Sequence, residues 1–132
     1  MSEQNVEIVR AILDEWGRGN FRAGTERFDA DTTLVLRSDF PEAGGHHGPE
    51  GIRAYMQRFL GAWEKVVIKG EEFIAAGDSV VVAVHQVATG KGSGAPVEMR
   101  YFQVWSLRGG VVLRMESIIE RSDAFEAAGI SE

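Results

Sequence analysis

Val6, Val9, Ile12, Leu13 and Trp16 recur at helical spacing, so the chain opens on an amphipathic helix. Gly17-Arg18-Gly19-Asn20 ends it, the glycines favouring a C-terminal cap. Phe21 to Phe28 reads as a second, shorter helix. Thr32 to Ser38 is β-branched and apolar, which predicts a strand. Asp39 to Gly48 breaks the pattern with Pro41, Gly44, Gly45 and the pair His46-His47. Pro49 suits a first helical position, and Glu50 favours the positive end of a helix dipole. Ile52, Tyr55, Met56, Phe59, Leu60 and Trp63 then lay a wide apolar stripe along a third helix, the clearest helical pattern in the chain.

The second half changes period. Val66 to Ala75, Val80 to Thr89, Val97 to Leu107 and Val111 to Arg121 read as strands. Gly77-Asp78-Ser79, the loop Gly90 to Pro96 and Arg108-Gly109-Gly110 join them as turns, the last needing glycine for positive φ. The tail from Ser122 suits a short helical turn capped by Ser122 or Asp123. Helices first and an antiparallel meander afterwards predict an α+β domain, its helices packed on one face of a strongly curved, mainly antiparallel sheet. No repeat, low-complexity tract or linker interrupts residues 1–132, so one domain is expected. The strands are apolar on both faces. An outer face carrying Tyr101, Trp105, Val81 and Ala83 would form a large patch, which predicts a homodimer through that face.

Composition narrows the function. The formal net charge is -6, so the surface repels phosphate backbones and nucleic acid is not an expected partner. No basic amphipathic stretch offers itself to anionic lipid, and the longest apolar run, Val80 to Val84, is too short to span a bilayer. The absence of cysteine removes disulfides, thiol catalysis and Cys-ligated zinc. Met1 to Asn5 has neither the basic start nor the apolar core of a signal peptide, which makes the cytoplasm the expected location.

The segments GNFRAGTERFDADTTLVL, HHGPEGIRAYMQRF, GDSVVVAV, EMRYFQVWSLRGGVV and AFEAAGISE, in that order, resemble the SnoaL-like group. That group lies within the nuclear transport factor 2-like superfamily, which also holds ketosteroid isomerase. The resemblance implies a cone-shaped α+β barrel, open at one end and usually dimeric. It implies little about activity, because isomerases, cyclases, epoxide hydrolases, dehydratases and non-catalytic domains share the fold. Ketosteroid isomerase chemistry needs a pocket carboxylate and two neutral acidic donors facing an oxyanion. Aligned on Gly19-Asn20, Phe28 to Asp31 and Gly109-Gly110, those positions fall on Ile12, Leu36 and Phe102, all apolar. A shift of three residues would bring Asp39 to the base position. Epoxide hydrolase-like chemistry needs two aspartates bridged by an arginine, and Arg100 has no aspartate at 98, 102 or 104.

Under the same alignment, strand alternation points Val82, Val84, Gln86, Arg100, Phe102, Met115, Ser117 and Ile119 inward. Gln86, Arg100 and Ser117 would then be polar groups in an apolar cavity, the usual composition of a small-molecule site. An inward Arg100 needs a partner such as Glu98, Asp39 or a ligand anion; the plainer alternative is an ordinary ion pair at the barrel mouth. Asp39 is a candidate base, or a turn initiator before Phe40-Pro41. His47 is a second candidate base, or a loop residue before the helix. The three histidines match no metal motif, and no cofactor or metal is expected. Trp16, Tyr55, Phe59 and Trp63 form either core or an aromatic roof, with Leu36 below. A ligand of such a cavity would be a small apolar or aromatic molecule. Two readings stay open at this point: cofactor-free proton transfer, as in isomerisation, cyclisation or dehydration, and a non-catalytic ligand-binding or dimerisation domain.

Overall fold

The computed structural model describes residues 2–37, 40 and 43–130. Helix α1 spans Ser2–Gly17 and strand β1 Phe28–Leu36. Strand β2 covers Gly44–His47, helix α2 Gly48–Gly61 and strand β3 Lys65–Ala76. Strands β4 (Ser79–Thr89), β5 (Pro96–Arg108) and β6 (Val111–Ile118) complete the sheet, and helix α3 (Arg121–Ala127) follows. The six strands form one sheet in the order β2-β1-β6-β5-β4-β3. Every neighbouring pair is antiparallel except β1 and β6, which run parallel. The architecture is α+β, as the order of patterned segments predicts.

Each helix has a local cause. In α1, Val9, Ile12, Leu13 and Trp16 are buried together and face β3 and β4. In α2, Ile52 and Tyr55 are buried and Met56, Phe59, Leu60 and Trp63 pack on the same core. Pro49 stands in the first turn of α2, where its missing N–H costs nothing. Gly109 and Gly110 adopt φ of 58° and 81°, the left-handed pair that suits the twist of a two-residue hairpin turn.

Four expectations need correction here. Phe21 to Phe28 is a set of turns with a single 3-10 turn at Thr25–Arg27. Gly24 explains this: its φ is 94°, and an added Cβ would sit 2.9 Å from Ile12 Cδ1, so the chain turns tightly against α1 instead of continuing as a helix. The irregular segment before α2 contains the short strand β2, which pairs with β1 through Thr33–His47 and Leu36–Gly44. The tail forms helix α3 with Glu120, not Ser122 or Asp123, at the N-cap. Ala124 and Phe125 of that helix are buried against Val81, Val104 and Ile118. The outer face is therefore covered in part, and Val81 is not exposed.

The fourth correction concerns β5. Val84 pairs with Tyr101, Val82 with Gln103 and Met115 with Trp105. Paired residues share a face. Tyr101, Gln103 and Trp105 thus point inward with the main core, while Arg100 and Phe102 point outward.

Candidate functional site: an apolar cavity under helix α2

Between α2, the end of α1, the turns at 21–28 and the inner sheet face lies a cavity of about 650 Å³. Trp16, Leu36, Tyr55, Phe59, Trp63, Gln86, Met115 and Ser117 all line it. Three expected site residues do not. Arg100 lies on the opposite face and forms an ion pair with Glu71. Phe102 packs beside α3, 5.8 Å from the Arg121 guanidinium. His47 is largely exposed on β2, its Nε2 3.5 Å from Asp31 Oδ1. Asp39 lies outside the described residues. His46, the neighbour of His47 on β2, stacks on Tyr55 with ring centroids 4.5 Å apart.

The walls are mainly apolar, and eight of the lining side chains are aromatic. Trp16 packs against Trp105 at 5.7 Å and Phe21 at 6.2 Å, and its indole N–H donates to the Ala23 carbonyl at 3.1 Å. Phe40 meets Tyr101 edge to face at 5.3 Å. Tyr55 and Phe59, one helical turn apart, stack at 6.1 Å. Alternation along β5 carries the clue to its facing: positions 98, 100, 106 and 108 hold Glu, Arg, Ser and Arg, whereas 97, 99, 101, 103, 105 and 107 hold Val, Met, Tyr, Gln, Trp and Leu. The second row is the one that belongs inside.

A neutral polar cluster interrupts the apolar wall. The Tyr101 hydroxyl donates to Gln86 Oε1 at 2.9 Å, and the Trp105 indole N–H donates to Gln103 Oε1 at 2.9 Å. Ser117 faces Gln103 across the β5–β6 pair. Burial pushes the Tyr101 hydroxyl well above the usual phenol range; the Gln103 side chain opposes this and nearby Tyr55 adds to it. At neutral pH this group is a hydrogen-bond donor, never a base. The shifted inward row also alters the comparison with ketosteroid isomerase. The β5 position assigned to Phe102 faces out, and its inward neighbours, Tyr101 and Gln103, are polar.

A stability consequence follows. Up to about pH 10 the phenol is protonated in both folded and unfolded chains. Above that the unfolded chain ionises while folded Tyr101 keeps its proton, so stability falls as pH rises, by about 1.4 kcal/mol per pH unit from this group. Tyr101→Phe removes that component. Urea unfolding across the alkaline range should give a shallower decline for the variant, and equal slopes would contradict the buried-phenol account.

Among the described residues no group of three His, Asp or Glu side chains is arranged to hold a metal ion, and no helix is long and apolar enough to cross a membrane. Comparison with known proteins adds the family. Solved structures share the fold over nearly the whole chain. A candidate SnoaL-like polyketide cyclase from Jannaschia sp. CCS1 is 20% identical, with 99% of this chain and 95% of that chain covered and a TM-score of 0.76. A protein of ketosteroid isomerase-like fold from Catenulispora acidiphila DSM 44928, in complex with trimethylamine, is 23% identical over 95% and 94% of the two chains, with a TM-score of 0.74. TerC, co-crystallised with polyporic acid, is 20% identical over 95% and 98%, with a TM-score of 0.74. At these identities the likeness speaks for the fold alone. A comparison with curated protein sequences finds no match. The SnoaL-like domain profile, however, matches residues 9–115, which is most of the chain and includes the second half of α1, all of α2 and most of the sheet. The chain belongs to the SnoaL-like domain family.

Proposed function

We propose that the protein binds a small organic molecule with an apolar or aromatic body in the cavity under α2. The observation that carries this reading is the cavity itself: about 650 Å³, walled largely by aromatic and aliphatic side chains, with a neutral polar cluster on the sheet face at Gln86, Tyr101, Gln103 and Ser117. Apolar burial would drive binding, and the polar cluster would orient an oxygen of the ligand. The ligand-bound relatives named above are similar folds holding small molecules, which is consistent with this use. A thermal-shift screen of cyclic ketones and polyketide-like aromatics tests it. Compounds that raise the wild-type melting temperature should have no effect on Ser117→Phe, in which a ring occupies the cavity. The reading is defeated by a library that moves no melt, or by equal shifts in wild type and the blocked variant.

A catalytic form of the same reading is favoured by one observation. Neutral donors in an apolar cavity stabilise an oxygen that gains charge during reaction. Isomerisation, cyclisation or dehydration by cofactor-free proton transfer would use the Gln86 amide N–H in that role, its side chain oriented by the Tyr101 hydroxyl, with Asp39 as the base. Asp39→Asn should then abolish turnover of a screened ligand without moving the melting temperature.

We further propose a homodimer through the uncovered part of the outer face. Ala83 and Val87 alternate there with His85, whose Nε2 is 3.0 Å from Glu98 Oε1, and with the Arg100–Glu71 pair. Sedimentation of a monomer at micromolar concentration would remove this element.

A further inference from the structure

We infer that the ligand of the cavity is an organic acid, its carboxylate met by Arg22 and Arg53 and its apolar body inside. This rests on the cavity reading above and names the ligand class.

Arg22 belongs to the turn after α1, and Arg53 to the first half of α2. The two come from separate elements, yet both line the same cavity. Among the described residues they are its charged lining side chains, and none of the described lining residues is a carboxylate. The chain as a whole carries 20 acidic and 14 basic side chains, so its surplus of acid is reversed at this site. Of the nine arginines elsewhere, five, Arg18, Arg37, Arg100, Arg114 and Arg121, pair with a glutamate, while Arg10 lies over the Phe73 ring and Arg27 donates to the Gly110 carbonyl. Arg22 and Arg53 have no such pair among the described residues.

Both elements are held in place. Thr25, also on the cavity lining, donates its hydroxyl to the Arg22 carbonyl at 2.8 Å, and its backbone N–H reaches the same oxygen at 3.3 Å. Pro49, Arg53 and Gln57 follow one another at four-residue spacing along one flank of α2, and all three line the cavity. Gln57 adds a neutral donor to the lining one helical turn after Arg53.

The interior decides which end of the ligand enters. Its polar groups are amides and hydroxyls, and a carboxylate moved among them would lose hydration without gaining a counter-charge. The two arginines are exposed, so a carboxylate meeting them keeps water and gains charge-assisted hydrogen bonds. The net charge of -6 opposes anions at long range, but screening confines that effect to about 8 Å at physiological salt.

The test is calorimetric titration of the full chain with naphthoate and with naphthamide, two probes alike in shape and unlike in charge. Naphthoate should bind about tenfold more tightly at low salt, with the advantage shrinking at high salt. The double variant Arg22→Gln/Arg53→Gln should bind naphthamide as wild type does and lose the preference. Arg108→Gln, which removes an exposed arginine outside the cavity lining, should keep it. Equal affinity for the two probes in wild type overturns the acid assignment and leaves the cavity reading standing, as does a double variant that still prefers naphthoate. Failure of both probes to bind overturns the acid assignment and the cavity reading together.

Discussion

Trp105→Ala will lower the unfolding free energy by about 3 to 5 kcal/mol. The indole is fully buried between the sheet and the first helix. It packs on Trp16 at 5.7 Å and stands opposite Met115 on β6, so its removal opens a void shared by α1 and two strands. It also strands a partner. Gln103 Oε1 accepts the indole hydrogen, and the Gln103 side chain is itself buried, so the lost donor is not replaced by bulk water. A domain of this size has about 5 to 15 kcal/mol in total, so the variant should lose a large fraction of its stability. Urea denaturation gives the answer, and a midpoint within error of wild type would mean that the indole does not pack as described.

Phe125→Ala will cost about 3 kcal/mol and will also make the protein associate. Phe125 sits over Val81, Val104 and Ile118, three outward sheet residues that are buried beneath it. The Arg121 guanidinium lies 4.7 Å from the Phe125 ring and 5.8 Å from Phe102, which ties α3 to the strand below. Removing the ring exposes a contiguous apolar patch, and such patches recruit other surfaces. Sedimentation velocity should show species larger than those of wild type, rising with concentration. A variant that sediments as wild type, with an unchanged melting temperature, would show that α3 is not a structural cover.

These two residues also mark where the sequence was legible and where it was not. The stripe on α2 and the alternation in β3 to β6 depend on neighbours within a few positions, so the elements can be read locally. Six of the eight residues given an inward facing, Val82, Val84, Gln86, Met115, Ser117 and Ile119, pack with the main core or line the cavity. Arg100 and Phe102 do not, and the reason is physical. Beneath α3 the outward row of β5 needs apolar residues of its own, so Phe102 and Val104 on one face compete with Tyr101 and Trp105 on the other. An amphipathic strand reveals its facing by contrast, and α3 removes much of that contrast. The charges at Glu98 and Arg100 were the remaining signal. The segment from Phe21 to Phe28 failed for another long-range reason. Its conformation is set by the approach of Ile12 to Gly24, which no local pattern encodes.

The parallel pairing of β1 with β6 has a consequence for synthesis. Thr32 of β1 donates its hydroxyl to the Val112 carbonyl, a partner 80 residues later in the chain. Until β6 leaves the ribosome, β1 has the four-residue β2 as its other strand neighbour, too short a ladder to hold it firmly. At about 5 to 20 residues per second, that wait lasts roughly 4 to 16 seconds. Leu34 and Leu36, which later line the cavity, spend the interval without their sheet partners Met115 and Ser117. The nascent chain is thus most open to chaperones, and to pairing with the wrong strand, at the edge that will become the wall of its binding site.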